Sequence, residues 1–242
     1  MLSKNEAKYI QSLQHKKYRN EEKMFIAEGV KLVDEILKSD FTIKKIFAIH
    51  EWANAHKSAF ANVTEITEQE LKKISLLQTP NHVLALVEQK VKSSEVDFKN
   101  KFTLVLDGIQ DPGNFGTIIR IADWFGIKDI VCSNDTAELY NPKVIQSTMG
   151  SFLRMNIVYE ELLPLLKTVT VPVFGAVLNG KNISNITAVK EGILIIGNEG
   201  NGIKKELLPF IQQPVTIPRS GGAESLNAAV ATGIIVSHLF RS

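Results

Sequence analysis

Two runs in the second half of the chain, Phe102-Thr103-Leu104-Val105-Leu106 and Gly192-Ile193-Leu194-Ile195-Ile196, are apolar at almost every position. A strand with one wet face would alternate; one apolar on both faces needs cover on both sides, which a parallel sheet with crossover helices supplies. The neighbouring segments fit that demand. Helical spacing runs from Gly116 to Phe125, a strand is expected at Lys128–Cys132, and Pro142 opens a helix to Met149. Further strands are expected at Val171–Leu178 and Pro214–Ile217, and a last helix at Ser225–Phe240. Strands alternating with helices specify an α/β fold built on a mostly parallel sheet.

The first half carries a smaller set of the same elements. Lys4–Leu13 has helical spacing, Met24–Ala27 reads as a strand, and Val30–Leu37 as an amphipathic helix. A second strand is expected at Ile43–Ile49. Thr67 and Glu70 form a capping-box pair ahead of a helix ending at Ile74, and Val83–Val87 is a strand suited to burial on both faces. The stretch Lys90–Asn100 is polar and has no sustained period. The expected organisation is therefore a small N-terminal α/β domain over 1–92, a linker over 93–100 and a larger α/β domain over 101–242.

Composition excludes several classes. The 242 residues, 44% hydrophobic and 22% charged, describe an ordinary globular protein, and a net charge of +2 does not announce a nucleic-acid binder. The positive charge is nonetheless clustered, with His15-Lys16-Lys17-Tyr18-Arg19 near the start and the pairs Lys44-Lys45 and Lys72-Lys73 beyond it. The lone Cys132 sits in an apolar run, where a buried reduced thiol is expected, and one cysteine permits neither a disulfide nor a cysteine zinc site. His50 and His56 lack metal-ligand spacing. No apolar run approaches the ~18 residues of a membrane span, the start has no apolar signal core, and the expected location is the cytoplasm.

Three segments carry the chemistry, each a strand end, a flexible loop and a turn into further structure. The first is Asp107–Ala122, where Pro112-Gly113-Asn114 follows a strand and Arg120 lies on the next helix. Crevices outside the C-terminal ends of parallel strands are the usual ligand positions. Arg120 could instead pair with Asp111 or Asp123. Neither a Gly-x-Gly-x-x-Gly fingerprint nor a Lys-Ser/Thr phosphate loop is present, which argues against dehydrogenase and NTPase chemistry. The second is Ile193–Ile203, with Gly197-Asn198-Glu199-Gly200-Asn201-Gly202, whose glycines permit sharp turns and whose one charge is Glu199. Capping, or neutralising a nearby cation, would equally account for that glutamate. The third is Ile217–Asn227. Ile217 and Leu226 could grip a flat apolar ring while loop backbone reads its edge. Ser225 reads as a helix N-cap. Asn227 would fall inside the first turn, where asparagine has poor propensity, so another partner is expected for its side chain.

In order and wording these segments resemble the SpoU/TrmH family of knotted SPOUT methyltransferases, over about Phe102–Arg241. Asn114 with Arg120 six residues on, Gly197–Gly202, and Ile217-Pro218 followed by Ser225-Leu226-Asn227 carry the likeness. Ser147–Ser151 and Arg154 look like a further family element, and Phe25-Ile26-Ala27-Glu28-Gly29 resembles the substrate-binding domain that often precedes the catalytic one. The family often has Met after Ile-Pro, where this chain has Arg219, a residue that could touch phosphate or pair with Glu224.

The resemblance implies a C-terminal trefoil knot, a homodimer, and methyl transfer from S-adenosyl-L-methionine to a ribose 2′-hydroxyl of RNA without a metal. It implies cofactor contacts at Leu178, Gly197, Ile217, Leu226 and Asn227, and catalytic roles for Arg120, Asn114, Glu199, Ser225 and Asn227. Free arginine is a poor base, so a charged Arg120 that anchors phosphate and steadies the developing oxyanion is preferred to a deprotonated one. Asn114 and Asn227 would orient the ribose or Arg120, and Glu199 would balance the arginine charge. RNA capture is expected through Lys16, Lys17, Tyr18 and Arg19, with Arg19 the strongest candidate. The expected substrate is 23S rRNA rather than tRNA. The alternatives are a knotted RNA-binding protein without turnover and an enzyme using another nucleotide cofactor.

Overall fold

The computed structural model describes residues 1–56, 62–90 and 96–240. Its contacts divide the chain into two units, Met1–Val91 with Leu139–Leu153, and Lys92–Glu138 with Arg154–Ser242. Residues 93–95 of the expected linker lie outside the described residues.

Unit 1 is built on a four-stranded sheet. Its strands are β1 (Met24–Glu28), β2 (Ile43–Ala48), β3 (Val63–Glu65) and β4 (Val83–Glu88), in the order β1-β4-β2-β3. β4 runs antiparallel to both neighbours, and β2 and β3 are parallel. Among its described residues the N-terminal part has helices α1 (Lys4–Ser12), α2 (Lys16–Glu22), α3 (Val30–Leu37), α4 (His50–Ala55) and α5 (Glu68–Ile74). The capping box forms as expected, Glu70 N donating to Thr67 Oγ1 and Thr67 N to Glu70 Oε2. The basic cluster, given no element by its spacing, lies in α2. Its left-handed C-cap, Lys23, ends the helix directly before β1.

The segment Leu139–Leu153, which carries α7 (Pro142–Thr148), groups with unit 1 although it lies inside the 101–242 stretch. Aromatic packing explains the attachment: Phe25 stacks on Tyr140 at 4.7 Å, and Phe152 meets both Phe25 and Phe41 edge to face. Gly150 is required here. Its φ is +91°, a backbone conformation that glycine adopts freely and other residues rarely do.

Unit 2 is a six-stranded, all-parallel sheet of β5 (Phe102–Asp107), β6 (Asp129–Cys132), β7 (Asn156–Tyr159), β8 (Val173–Asn182), β9 (Gly192–Gly197) and β10 (Gln213–Thr216). The spatial order is β10-β8-β9-β5-β6-β7. Val105, Val131, Val158, Val173, Ile193 and Ile195 join one hydrophobic core on one face of the sheet, while Leu104, Leu106, Ile130, Leu194 and Ile196, alternating with them, are buried on the other, so both faces are covered as the apolar strands demand. Cys132 is fully buried, and that burial pushes its thiol well above the ordinary range. The chain leaves β5 in one direction and returns through β8 to place β9 against β5, in register from Phe102↔Gly192 to Asp107↔Gly197. The two strands therefore end side by side at a point where strand order reverses, the position at which open parallel sheets present their ligand crevice.

Helices α6 (Pro112–Trp124) and α9 (Ala228–Leu239) pack on each other, while α8 (Leu162–Thr168) lies beside β7 in the chain. Two helix starts differ from expectation. α6 begins at Pro112, not Gly116, because Asp111 accepts from Asn114 N at 2.8 Å and Pro112 suits the first turn. α9 begins at Ala228, not Ser225.

Candidate active site

Asn114, placed in a loop by its neighbours in sequence, stands instead in the first turn of α6. There its amide is directed toward the end of β9. Its Nδ2 donates to Glu199 Oε1 at 2.9 Å, and its Oδ1 accepts from Asn227 Nδ2 at 2.8 Å. One asparagine thus joins all three motif segments, residues 85 and 113 positions apart in the chain. The contact is possible because β5 and β9 end in register and α9 lies against α6.

The loop holding Glu199 is shaped by a residue the sequence did not flag. Asn198 Oδ1 accepts from Gly200 N and Asn201 N, both at 3.0 Å, while its Nδ2 donates to Gly108 O at 2.7 Å. Backbone bonds between Asn198 and Gly202 close the turn. The Asn-x-Gly pattern was a usable signal for such an Asx turn. Gly197 has no room for a side chain, since a Cβ would lie 2.3 Å from Gly202 C and Ile203 N. This loop folds flat against its own strand end.

A second network braces the crevice from below. Asp107, buried at the end of β5, accepts from Lys204 N at 2.7 Å, and its other oxygen faces Lys204 Nζ at 3.2 Å. The same ammonium reaches Asp135, whose carboxylate accepts from Ser133 Oγ, which in turn accepts from Gly108 N. The hydrogen bond from Ser133 outweighs burial and, with Lys204, holds the Asp135 carboxyl below its usual range. For Lys204, burial pulls its pKa down, but bonding to Asp135 and Asp107 prevails and raises it. Asp107, an acid closing an apolar strand, was legible as unusual, but its partner lies 97 residues on.

Arg120 is exposed, and neither expected partner takes it. Asp123 is held by Arg154 through Nε at 3.2 and 3.1 Å and Nη2 at 2.7 Å. Asp111 caps α6. No ion pair or hydrogen bond joins Arg120 to another described residue, including Glu199, so the expected charge balance is not made by direct contact.

Ser225 is not the cap of the last helix. It is exposed and lies three residues before α9, and Asn227 caps instead, its Oδ1 accepting from Ala229 N and Val230 N at 3.0 and 3.2 Å. Serine and asparagine cap about equally well, and the tertiary bond to Asn114 selects between them. The partner expected for Asn227 is therefore a double one, its own helix and Asn114. Leu226 precedes α9 rather than riding on it, and Ile217 follows β10. Thr216 Oγ1 donates to Leu178 O at 3.0 Å, which sets Leu178 beside the start of the Ile217 loop. Leu178, on β8, is 73% exposed, and Leu226, in the loop before α9, is 48% exposed, so two large apolar side chains are left open. Arg219 does not pair with Glu224; its Nη1 donates to Ala223 O at 2.9 Å and braces its own loop.

In unit 1, Lys16, Lys17 and Tyr18 are exposed, with Lys17 3.9 Å from Glu21. Arg19 is corrected. It is 2% exposed, and its Nη1 donates to Leu13 O and Gln14 O at 2.9 and 2.7 Å. A guanidinium that satisfies the carbonyls at the end of α1 is a structural group, not a surface one. Among the described residues no helix is long and apolar enough to cross a membrane, and no three His, Cys, Asp or Glu side chains cluster as metal ligands.

Comparison with known proteins agrees with this geometry. Residues 101–237 match the SpoU rRNA Methylase family, and residues 4–85 an MRM3-like substrate binding domain. The chain is 33% identical to the 23S rRNA (guanosine(2553)-2′-O)-methyltransferase RlmP of Bacillus subtilis, over 94% of this chain and 92% of that protein. A TrmH-family structure from Porphyromonas gingivalis superposes with a TM-score of 0.87 at 36% identity, over 98% of each chain. An AdoMet-bound rRNA methyltransferase from Sinorhizobium meliloti does so at 0.87 and 30%, over 98% of this chain and 95% of that one. With its motif residues gathered at the C-terminal ends of β5 and β9 in a parallel sheet of this order, the chain belongs to the SpoU rRNA methylase family.

Proposed function

We propose that this protein transfers a methyl group from S-adenosylmethionine to a ribose 2′-hydroxyl of 23S rRNA. The observation that carries the reading is the Asn227–Asn114–Glu199 chain, with Arg120 exposed on the helix that bears Asn114 and unpartnered among the described residues. Relatives whose names state 2′-O-methylation of 23S rRNA support the substrate class.

The residues present suit the cofactor. Leu178, Ile217 and Leu226 would hold its adenosyl ring by apolar contact, and Gly197–Gly202 would offer backbone groups to its polar edge. Bound there, S-adenosylmethionine supplies a methyl group on a sulfonium leaving group. What remains for the protein is to hold the ribose oxygen in line and to manage its proton and charge. Arg120 stays charged, anchors the adjoining phosphate and steadies the oxygen as it becomes anionic. Glu199, the one carboxylate in the network, accepts the hydroxyl's hydrogen bond and takes its proton as the methyl is transferred, and Ser225 lines the other side.

Unit 1 captures RNA through Lys16, Lys17 and Tyr18, as phosphate contacts and a stacking ring. The C-terminal segment is the knotted element of the family, the working form is a homodimer, and the site of action is the cytoplasm. The test is to map ribose 2′-O-methylation across rRNA and tRNA from cells with and without the protein, beside methyl transfer to isolated rRNA in vitro. Loss of one 23S rRNA methyl group is expected. Loss of a tRNA methyl group instead would replace the substrate, and no S-adenosylhomocysteine binding at millimolar concentration would end the reading.

A further inference from the structure

The amides in the site have no freedom of orientation. Backbone N–H groups only donate, so the atom of Asn227 that faces Ala229 N and Val230 N must be its oxygen. That leaves Nδ2 of Asn227 for Asn114, and the atom receiving it must be Asn114 Oδ1. Asn114 then has only Nδ2 to offer Glu199, whose Oε1 accepts it. Glu199 Oε2 makes no hydrogen bond to a described residue.

We propose that Asn227 and Asn114 are positioning residues. The N-terminus of α9 imposes a one-way chain of hydrogen bonds that holds Glu199 by a single oxygen and leaves the other for the RNA. This deepens the methyltransferase reading and rests on it for the role of Glu199. It also separates two duties of Asn227 that an alanine substitution would confuse, capping the helix and setting the polarity of the chain.

Asn227→Asp separates them. A carboxylate caps the helix as well as an amide does, and its charge suits a helix N-terminus, but it has no proton for Asn114. Asn114 must then face an acceptor, or turn over and present its oxygen to Glu199. Pairing Asn227→Asp with Glu199→Gln completes the reversed chain: the introduced carboxylate accepts from the Asn114 amide nitrogen, and the Asn114 oxygen accepts from the glutamine amide.

The experiment measures Tm, kcat and RNA KM for N227D, N227A, E199Q and the N227D/E199Q double variant. N227D should stay within ~2 °C of the parent Tm, while N227A loses ~2–4 °C with its cap. N227D should lower kcat about tenfold or more with little change in KM, since Glu199 is displaced rather than RNA binding lost. E199Q should raise the Tm of N227D more than it raises that of the parent, the coupling expected of a reversed chain. Full kcat in N227D, or Tm shifts at 227 and 199 that merely add, would overturn the proposal. A parent protein that methylates neither rRNA nor tRNA would instead remove the methyltransferase reading, while the Tm coupling would still judge the chain.

Discussion

Replacing Arg120 separates folding from chemistry because of where the structure puts it. The side chain is exposed and makes no ion pair or hydrogen bond among the described residues, so Arg120→Ala removes no folded-state partner there. A surface substitution of this kind changes stability by about 0.5 kcal/mol or less, close to the error of a melting curve. In the reaction the same side chain is asked to hold a phosphate and steady a developing oxyanion. Donors of that kind are worth ~2.7–4 kcal/mol, or about 10²–10³ in kcat. The assay is transfer of labelled methyl from S-adenosylmethionine to rRNA, with thermal melting of the same samples. Arg120→Ala should melt with the parent and lose that factor mainly in kcat. Arg120→Lys tests the charge: an anchor that works as a cation is partly replaced by lysine across about pH 6 to 9, whereas a base would recover only as the lysine amine loses its proton near ~10. A kcat for Arg120→Ala within about threefold of the parent would refute the assignment, given the loss expected of an oxyanion donor. So would a lysine variant active only at high pH.

The remaining predictions follow from packing and charge. Gly197→Ala places a methyl 2.3 Å from backbone atoms of Gly202 and Ile203, so the Glu199 loop must move; cofactor affinity by calorimetry should fall at least about tenfold, and unchanged binding would show that the loop gives way freely. Lys16→Glu with Lys17→Glu should weaken RNA binding and flatten its salt dependence at constant Tm. Arg19→Met should do the reverse, leaving the salt slope alone while costing roughly 1–3 kcal/mol as two carbonyls lose their donor, seen as a lower Tm. The Glu6 carboxyl is held at about 2, first by its hydrogen bond from Lys45 and then by Ser3. A lowered acid stabilises above its unfolded value and loses that contribution as pH falls through its folded one. Stability should therefore decline between pH ~4.5 and ~2, by under ~1 kcal/mol for a partly exposed, solvent-screened pair, and Glu6→Gln should remove that part of the slope.

Local features of the sequence had physical causes that act over a few residues, and these were legible. Apolar runs at 102–106 and 192–196 named buried parallel strands, Thr67 and Glu70 named a capping box, and the glycines of 197–202 named a sharp loop. The short elements α2, α4, β3, β7 and α8 were not legible, because at three to seven residues a period cannot be fixed and they lack the local marks, a fully apolar run, a capping box or an opening proline, that identified other short elements such as β5, α5 and α7.

The candidate site shows the same division. Asn114, Arg120, Glu199 and Asn227 were marked by sequence, but their partners were not. Arg120 could have paired with Asp123 until Arg154, 31 residues away, proved to hold that carboxylate. Ser225 and Asn227 were both fit to cap the last helix, and only the bond to Asn114 chose. Arg19 had every mark of a surface arginine until the α1–α2 turn folded its carbonyls around it.

By itself the sequence determined which apolar runs become the central strands, which loops are glycine-bent and which polar side chains stand at the strand ends. Those outcomes are set by side-chain periodicity and backbone freedom within each segment. The tertiary structure alone decided which of those side chains meet and which atom of each amide faces its neighbour. Both depend on β5 and β9 ending in register and on α9 returning to α6, contacts made between residues about a hundred positions apart.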